Sequence, residues 1–319
     1  MSAILDVQDL TTHYLTSRGW VRAAEGVSFQ VGKGEALGIA GESGCGKTTV
    51  ALSLLKILPT GGRIRRGKII YDGVDLVPLS DGEMRKVRWK GIAIVFQGAM
   101  NAMNPVIKVG DQIVEAIRTH EHDVDKKTAY ERSRSLLELV GVEPDRVNNY
   151  PHEFSGGMRQ RALIAMALAA NPKLLVADEP GTALDVIVQA QTLKLMRELK
   201  DKLGLSMIMI SHDLSIIAET CEKVAIMYAG RVVEYGDAEE IFKNPLHPYT
   251  QGLVKAFPSI HGERQRLVSI PGSPPDLLDP PRACRFNPRC QFVMDVCRQI
   301  DPPLQKAGKG NHLVACHLY

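Results

Sequence analysis

The sequence predicts an α/β fold, in which buried strands alternate with helices. Three observations lead to this prediction. Several apolar runs have the length of buried strands, and each ends on a polar residue. Between them lie stretches with apolar residues at three- and four-residue spacing, as expected for helices that pack on a sheet. A glycine-rich pattern also stands between a strand-like run and a helix-like run, where α/β folds bind ligands.

The glycine-rich pattern covers residues 41–48 and fills every fixed position of G-x-x-x-x-G-K-[ST]. The apolar run 36–40 predicts a buried strand before it, and residues 48–58 predict a helix that Pro59 ends. In such a loop successive backbone N–H groups face one anion, so we expect it to hold the phosphates of ATP. Lys47 is expected to reach the β- and γ-phosphates, and the Thr48 hydroxyl to ligate Mg²⁺. The predicted nucleotide contacts of this loop are Gly41, Ser43, Gly44, Cys45, Gly46, Lys47, Thr48 and Thr49.

The composition indicates a soluble globular chain of 319 residues, long enough for one large domain with an appendage. Its net charge of +3 is too small to indicate a nucleic-acid partner, and the basic residues 63–68 are interpreted as a solvated edge. We find no N-terminal signal pattern, and the longest apolar run, 162–170, is far below the about 18 residues that a spanning helix needs. We therefore expect a cytoplasmic chain.

The first part of the chain predicts antiparallel strands at residues 4–7 and 27–31, on either side of a loop that carries Tyr14 and Trp20. Tyr14 lies at a distance upstream of the phosphate loop that suits a ring stacked on adenine. A partly buried strand tyrosine explains the same spacing, and both interpretations stay open. Residues 67–73 have the pattern of a hairpin.

Three later apolar runs end on candidate catalytic groups. The run 91–96 ends on Gln97, which is expected to contact Mg²⁺ or the attacking water. After residues 173–177 come two adjacent carboxylates, Asp178 and Glu179, which an apolar core does not accept without a task. We expect Asp178 to order the Mg²⁺ shell and Glu179 to polarise the water that attacks the γ-phosphate. The run 205–211 ends on His212, for which we favour catalytic support over a structural role.

A second anion-binding helix start is predicted at residues 154–161, followed by an alanine-rich helix that continues to Ala170. Ser155 is suited to cap this helix, and Gly156 and Gly157 let backbone N–H groups approach an anion closely. Residues 100–150 predict a helical insert that could dock a partner. Residues 224–236 predict a hairpin that closes the domain.

The order of these motifs resembles that of the ATP-binding subunit of ABC transporters, over nearly the whole chain. The resemblance implies a P-loop NTPase core at residues 1–243, with an antiparallel β subdomain and a helical subdomain at about 100–165. It also implies a small metal-stapled extension at residues 244–319. In that family, residues 154–158 correspond to the signature motif, and residues 183–185 to the D-loop, which adds Asp185 to the nucleotide-binding residues. The branch usually has threonine at the position of Gly181, where glycine loosens the backbone.

The same resemblance implies partners. ATP bound to one ATPase subunit is closed over by the signature motif of a second, and closure drives two membrane-spanning permease subunits. The branch implies a heterodimer of ATPase subunits, with a homodimer as the other arrangement, and an extracytoplasmic solute-binding protein. The chain would then lie at the cytoplasmic face of the membrane, peripherally, and power the import of peptides or a related solute. The alternative is a soluble non-transport ABC ATPase that acts on the ribosome or nucleic acid; such proteins usually carry two cassettes or a long coiled coil.

The C-terminal segment changes in composition near residue 244, since eleven of the eighteen prolines fall between Pro245 and Pro303. This pattern favours an extended appendage over another sheet domain. Residues 244–250 resemble the start of the C-terminal extension in the oligopeptide/dipeptide branch. Four of the six cysteines follow within the last 36 residues, and metal ligation explains them better than disulfides do in a cytoplasmic chain. They are Cys284, Cys290, Cys297 and Cys316.

Two metal centres suit these cysteines. Zinc sites usually show pairs separated by two to four residues, whereas the gaps here are five, six and eighteen residues. An iron–sulfur cluster accepts four cysteines with varied spacing, and this branch is similar in carrying a [4Fe–4S] cluster here. We therefore favour the cluster, with zinc as the alternative and free thiols as the third reading. For this metal centre we prefer a structural role over redox sensing.

Overall fold

The computed structural model describes residues 3–96, 102–181, 185–256, 270–307 and 310–319. The chain divides into two compact units. The first unit comprises residues 1–78 and 209–319, and the second comprises residues 79–208. Within the described ranges, none of the helices is both long and apolar enough to cross a membrane.

The strands of the described residues are β1 (Ala3–Thr16), β2 (Gly19–Gly32), β3 (Ala36–Ala40), β4 (Gly62–Tyr71), β5 (Val74–Asp75), β6 (Ile92–Val95), β7 (Leu174–Asp178), β8 (Ser206–Ser211), β9 (Lys223–Tyr228), β10 (Arg231–Asp237), β11 (Gln305–Lys306) and β12 (Leu313–Val314). Their helices are α1 (Lys47–Leu54), α2 (Asp81–Val87), α3 (Val109–His120), α4 (Lys126–Leu139), α5 (Gly156–Ala167), α6 (Val186–Leu203), α7 (Leu214–Thr220), α8 (Ala238–Lys243), α9 (Pro248–Ala256) and α10 (Val296–Gln299).

An antiparallel sheet in the first unit has the strand order β2-β1-β4-β5. The predicted antiparallel strands and the hairpin after them are therefore confirmed. The loop predicted to carry Tyr14 and Trp20 is wrong, because Tyr14 lies in β1 and Trp20 in β2. Several register shifts between β1 and β2 interrupt the alternation of apolar and polar residues, which hid the true length of these strands from pattern analysis.

A second group of strands in the first unit has the order β11-β12-β10-β9-β3. Strand β3 lies parallel to β9, and all of its residues are buried, as expected for a strand covered on both faces. Strands β9 and β10 form the hairpin that the sequence predicts, with a turn at Ala229 and Gly230. These strands place the phosphate loop at the carboxyl end of β3.

The C-terminal extension is less extended than predicted. Its strand β12 pairs antiparallel with β10, so the extension adds to the strands of the first unit. The buried Glu234 of β10 also anchors its start, because the carboxylate accepts the N–H groups of Leu246 at 2.7 Å and His247 at 3.0 Å. Proline disfavours long strands and helices but permits short ones docked on existing structure, which is why its frequency was misleading.

In the second unit, β6 pairs parallel with β7. Helices α3 and α4 confirm the helical pattern predicted at residues 100–150, and α3 buries Ile113 and Ile117. Arg132 of α4 donates to both carboxylate oxygens of Glu121 and to the carbonyl of Ala169, which joins three segments of this unit. The domain boundaries expected from the sequence stay predictions.

Two helices are shorter than predicted. Helix α1 ends at Leu54 rather than Leu58, because Lys56 takes a left-handed φ of 51°. Helix α5 ends at Ala167 rather than Ala170, and Asn171 beyond it has a φ of 50°. Both ends are set by backbone conformation, which an apolar pattern does not reveal.

Candidate functional site

The phosphate loop has the backbone arrangement that anion binding requires. Strand β3 leads into it, as predicted, and α1 begins at Lys47, one residue before the predicted start. Gly46 occupies the N-cap position, and no side chain caps the helix there. The first N–H groups of α1 can therefore donate to a bound phosphate, which the helix dipole also attracts.

Two glycines let the loop pass close to neighbouring strands. A Cβ at Gly41 would lie 2.1 Å from the carbonyl oxygen of Met227, and a Cβ at Gly46 would lie 2.1 Å from that of Ala23. Gly46 also has a φ of 106°, which residues with a side chain rarely adopt. Glycine at these positions sets the curvature of the loop, and this cradle fits the phosphates of ATP.

We expect Gly46→Ala to lower the free energy of unfolding by at least about 2 kcal/mol, because the methyl group meets both the unfavourable φ and the Ala23 carbonyl. Gly34→Ala is the matched control, since Gly34 has a φ of +70° but open space around the added Cβ. Urea unfolding of both variants measures the difference. An equal loss in both would show that backbone strain alone requires glycine at position 46.

Lys47 is buried, with 6% of its surface exposed. Its ammonium group donates to the carbonyl oxygens of Gly41 at 2.7 Å and Glu42 at 3.1 Å. The positive charge is thus held inside the loop by the loop's own backbone. A cation in this position, beside a helix start, favours a polyphosphate ligand.

The other predicted contacts of the loop differ in exposure. Ser43, Gly44 and Thr48 are exposed, whereas Cys45 and Thr49 are buried. Thr48 is the second residue of α1, so its hydroxyl lies at the exposed start of the helix. Burial raises the pKa of the Cys45 thiol, which makes it a neutral packing group rather than a nucleophile.

Tyr14 is half-buried in β1, and its ring packs close to Gly62 of β4, where a Cβ would lie 2.9 Å from the ring. This contact is what a packed strand tyrosine makes. The stacking of Tyr14 on adenine stays a prediction.

His212 belongs to the first unit and directly follows β8, as predicted, and its side chain is exposed. The bend that carries it is stabilised on one side by the Asp213 N–H, which donates to the Ser211 hydroxyl at 3.0 Å. On the other side Asp213 caps α7 by accepting the N–H of Ser215. The local sequence therefore presents the imidazole at the carboxyl end of a buried strand.

In the second unit, β7 ends on the two predicted carboxylates. Asp178 is the last residue of the strand and is 1% exposed. Glu179 follows, half-buried, with a left-handed φ of 49°. Such a conformation costs a side-chain-bearing residue about 1 kcal/mol or more, and strain of this kind concentrates at functional sites.

Gly181 provides space for a neighbouring side chain. A Cβ there would lie 2.6 Å from Cγ of Gln189 on α6, and its φ is outside the left-handed region. The expectation that this glycine loosens the backbone stays a prediction, and the structure adds a packing role beside it. A threonine at this position would require the Gln189 side chain to move.

The second predicted anion-binding helix start is also in the second unit. The Ser155 hydroxyl accepts the N–H of Met158 at 3.3 Å, so the predicted cap of α5 is confirmed. A Cβ at Gly157 would lie 2.7 Å from Val188 of α6, and Asp185 caps α6 by accepting the Val188 N–H at 2.9 Å. The starts of α5 and α6 are thus adjacent, which brings Gly157 and Asp185 together.

The site residues are divided between the two units. The phosphate loop, Tyr14 and His212 belong to the first unit. The two carboxylates, the start of α5 and Asp185 belong to the second. Gln97 lies outside the described residues. So do residues 183–184, the part of the predicted D-loop that precedes Asp185.

The four C-terminal cysteines are free thiols in one region of the first unit. Burial raises the pKa of Cys284 to about 11, and the other three cysteines add to this shift, so the thiols interact electrostatically. Within the described ranges, however, no three or more histidine, cysteine, aspartate or glutamate side chains are grouped so that they could hold a metal ion. The metal-stapled extension is therefore not shown.

Sequence analysis missed two contacts of the phosphate loop with the C-terminal extension. Arg289 forms an ion pair with Glu42, and the hydroxyl of Tyr249 accepts the Glu42 N–H. More than 200 positions separate the partners in each contact. No local pattern connects these residues, so the sequence carries no signal for either contact.

Comparisons with known proteins agree with this geometry. The ABC transporter family model matches residues 24–182, and that of the oligopeptide/dipeptide transporter C-terminal region matches residues 233–297. The chain is 47% identical over 317 residues to the oligopeptide transport ATP-binding protein OppD of Bacillus subtilis, covering 98% of this chain and 88% of that protein. It is 41% identical over 320 residues to the dipeptide transport ATP-binding protein DppD of Caldanaerobacter subterraneus, covering 100% and 98%.

A solved structure is also similar. The ATP-binding cassette MJ0796, described as a dimer in a post-hydrolysis state with ADP and Pi, superposes with a TM-score of 0.65 at 25% identity. The match covers 73% of this chain and 98% of that one. An α/β fold with this phosphate loop and these relatives defines an ATP-binding cassette, and the chain belongs to the ABC transporter family. More particularly, it is an ATP-hydrolysing subunit of the oligopeptide/dipeptide transporter branch.

Proposed function

We propose that this chain powers the import of oligopeptides, dipeptides or a related solute through membrane-spanning subunits. The observation that carries the proposal is the match of the C-terminal part to the oligopeptide/dipeptide transporter family, in a chain whose phosphate loop fits ATP. Relatives that align over almost the whole chain are named as oligopeptide and dipeptide transport proteins. These matches favour a transporter subunit over the alternative, a soluble ATPase that acts on the ribosome or nucleic acid.

Each candidate site residue has a proposed part in hydrolysis. Lys47 and the N–H groups at the start of α1 bind the β- and γ-phosphates. Thr48 and Asp178, with Gln97, hold Mg²⁺, which when bound neutralises charge that develops on the phosphates. Glu179 orients and polarises the attacking water. His212 is a second polar group that supports hydrolysis.

We further propose that two ATPase subunits close around the nucleotide. Ser155 is exposed and the first residues of α5 are half-buried, which leaves this helix start partly accessible to a partner. Next to it, Val186 and Ile187 expose 82% and 71% of their surface, as expected for apolar residues that a partner covers. The similar cassette MJ0796 is described as a dimer.

The remaining partners follow from the same proposal. An importer of this kind requires two permease subunits and an extracytoplasmic solute-binding protein, and places the ATPase peripherally at the cytoplasmic face of the membrane. We propose that the chain forms a heterodimer with a second ATPase subunit. The alternative is a homodimer, and the mass of the purified complex distinguishes the two arrangements.

We also propose that the four C-terminal cysteines bind a [4Fe–4S] cluster, with zinc as the alternative. The chemistry of the donor set fits a thiolate-bound centre. Burial raises the pKa of three of the thiols, and the backbone N–H groups of Phe286, Phe292 and Leu318, each two residues after one of these thiols, oppose this rise. N–H donors in this position stabilise a thiolate ligand. Those thiols belong to Cys284, Cys290 and Cys316.

Protein purified without oxygen is expected to be brown and to contain about four iron and about four labile sulfide per chain. Cys290→Ser should remove most of the colour, whereas Cys221→Ser, a buried cysteine outside this group, should leave it unchanged. Metal and sulfide analysis of the three proteins checks this. A colourless protein with one zinc per chain would reverse the assignment to zinc, and a metal-free protein with four reactive C-terminal thiols would contradict both.

Transport measurements test the proposed function. The chain should be purified with its membrane subunits, placed in lipid vesicles with ATP, and supplied with the binding protein and labelled peptides of two to five residues. We expect ATP-dependent uptake that the Lys47→Ala complex lacks. Association of the chain with ribosomes or nucleic acid, with no membrane subunit retained, would contradict the proposal.

A further inference from the structure

The phosphate loop contains a carboxylate, Glu42, whose charge opposes the binding of a triphosphate nearby. Arg289 of the C-terminal extension compensates this charge with two parallel hydrogen bonds. Its Nη1 atom lies 2.7 Å from Oε2 of Glu42, and its Nη2 atom lies 3.0 Å from Oε1. This bidentate arrangement is the strong form of an arginine–carboxylate pair.

Arg289 is itself held in place. It is 8% exposed, its Nε atom donates to the carbonyl oxygen of Pro271 at 2.8 Å, and its guanidinium lies 5.6 Å from the ring centre of Tyr228. Because these contacts fix the plane of the guanidinium, little conformational freedom is lost in forming the pair with Glu42.

Tyr249 contacts the same loop residue through the backbone. Its hydroxyl oxygen accepts the N–H of Glu42 at 2.9 Å, and its side chain is fully buried. The N–H of Tyr249 donates to Nδ1 of His247, whose own N–H is bound by Glu234 of β10. A continuous set of hydrogen bonds therefore links β10, through the extension, to the phosphate loop.

We propose that Arg289 and Tyr249 are positioning residues for ATP binding. Arg289 neutralises the Glu42 carboxylate, and Tyr249 fixes the Glu42 backbone, so the C-terminal extension sets the nucleotide affinity of the phosphate loop. This role goes beyond the proposed transport function and holds whichever solute is imported.

The charge role is tested by the affinity of the full-length chain for a fluorescent ATP analogue. Arg289→Met should weaken binding about tenfold, because it leaves the Glu42 carboxylate uncompensated beside the phosphates. Adding Glu42→Gln to that variant should restore affinity to within about twofold of the original chain, because the opposing charge is then gone. Arg298→Met, which changes an exposed arginine in the same segment, is the matched control and should have no effect.

Restored affinity in the double variant would show that Arg289 acts through the charge of Glu42 and not through the general folding of the chain. Unchanged affinity in Arg289→Met, or a double variant as weak as the single one, would overturn the charge role. If Arg289→Met fails to fold, Arg289→Lys gives the answer, because lysine keeps the charge but not the two parallel bonds. We then expect affinity to fall about threefold, and an unchanged value would overturn the requirement for the bidentate pair.

The backbone role has its own variant. Tyr249→Phe removes the acceptor of the Glu42 N–H and should weaken nucleotide binding about threefold. Tyr235→Phe is the control, because its hydroxyl donates to the backbone carbonyl of Gln30 in β2, at 3.1 Å, rather than contacting Glu42. Equal affinities for the two variants would overturn the assignment of Tyr249.

Discussion

Lys47→Ala is expected to weaken ATP binding about 100-fold or more, which corresponds to about 3 kcal/mol. The ammonium is buried in the loop and is held there by two backbone carbonyls. Its loss removes the positive charge that favours the phosphates, and it also removes two contacts that keep the loop closed. Isothermal titration of the full-length chain with ATP and Mg²⁺ measures the effect.

Lys56→Ala is the matched control for this prediction. Lys56 lies in the same unit, and its ammonium also donates to a backbone carbonyl, that of Val77 at 2.8 Å. It should change stability slightly and ATP affinity not at all. Nucleotide affinity that survives in Lys47→Ala would mean that the loop does not bind the triphosphate through this residue.

Glu179→Gln is expected to lower the rate of ATP hydrolysis about 1,000-fold while ATP binding is retained. Glutamine keeps the size and the hydrogen bonding of the side chain but cannot polarise a water as a base does. With hydrolysis blocked, the closed arrangement of two subunits should accumulate with ATP. Phosphate release and the mass of the complex by light scattering measure the two effects.

Glu198→Gln, on the exposed face of α6, is the control for the loss of one carboxylate in the same unit. It should hydrolyse ATP at the original rate and form no trapped dimer. Hydrolysis at the full rate by Glu179→Gln would contradict the catalytic role of Glu179. The left-handed backbone at this position would then not be explained by catalysis.

Features that depend on a few consecutive residues could be predicted from the sequence. The cap of α5 by Ser155 is one example, because the hydroxyl and the N–H group of Met158 that it accepts are only three residues apart, within one helical turn. The strand before the phosphate loop is another, because an apolar run followed by a glycine-rich turn has few alternatives. Where bulges interrupted the pattern, as in β1, the predicted strand was too short.

The sequence by itself determined the α/β class, the phosphate loop and the order of the candidate catalytic groups, since each is encoded by neighbouring residues. The tertiary structure alone decided that Arg289 meets Glu42, that Gln189 fills the space beside Gly181, and that the extension pairs with β10. Such contacts depend on where distant segments are brought by folding. Their energies come from burial and geometry in three dimensions, which no local pattern of residues records.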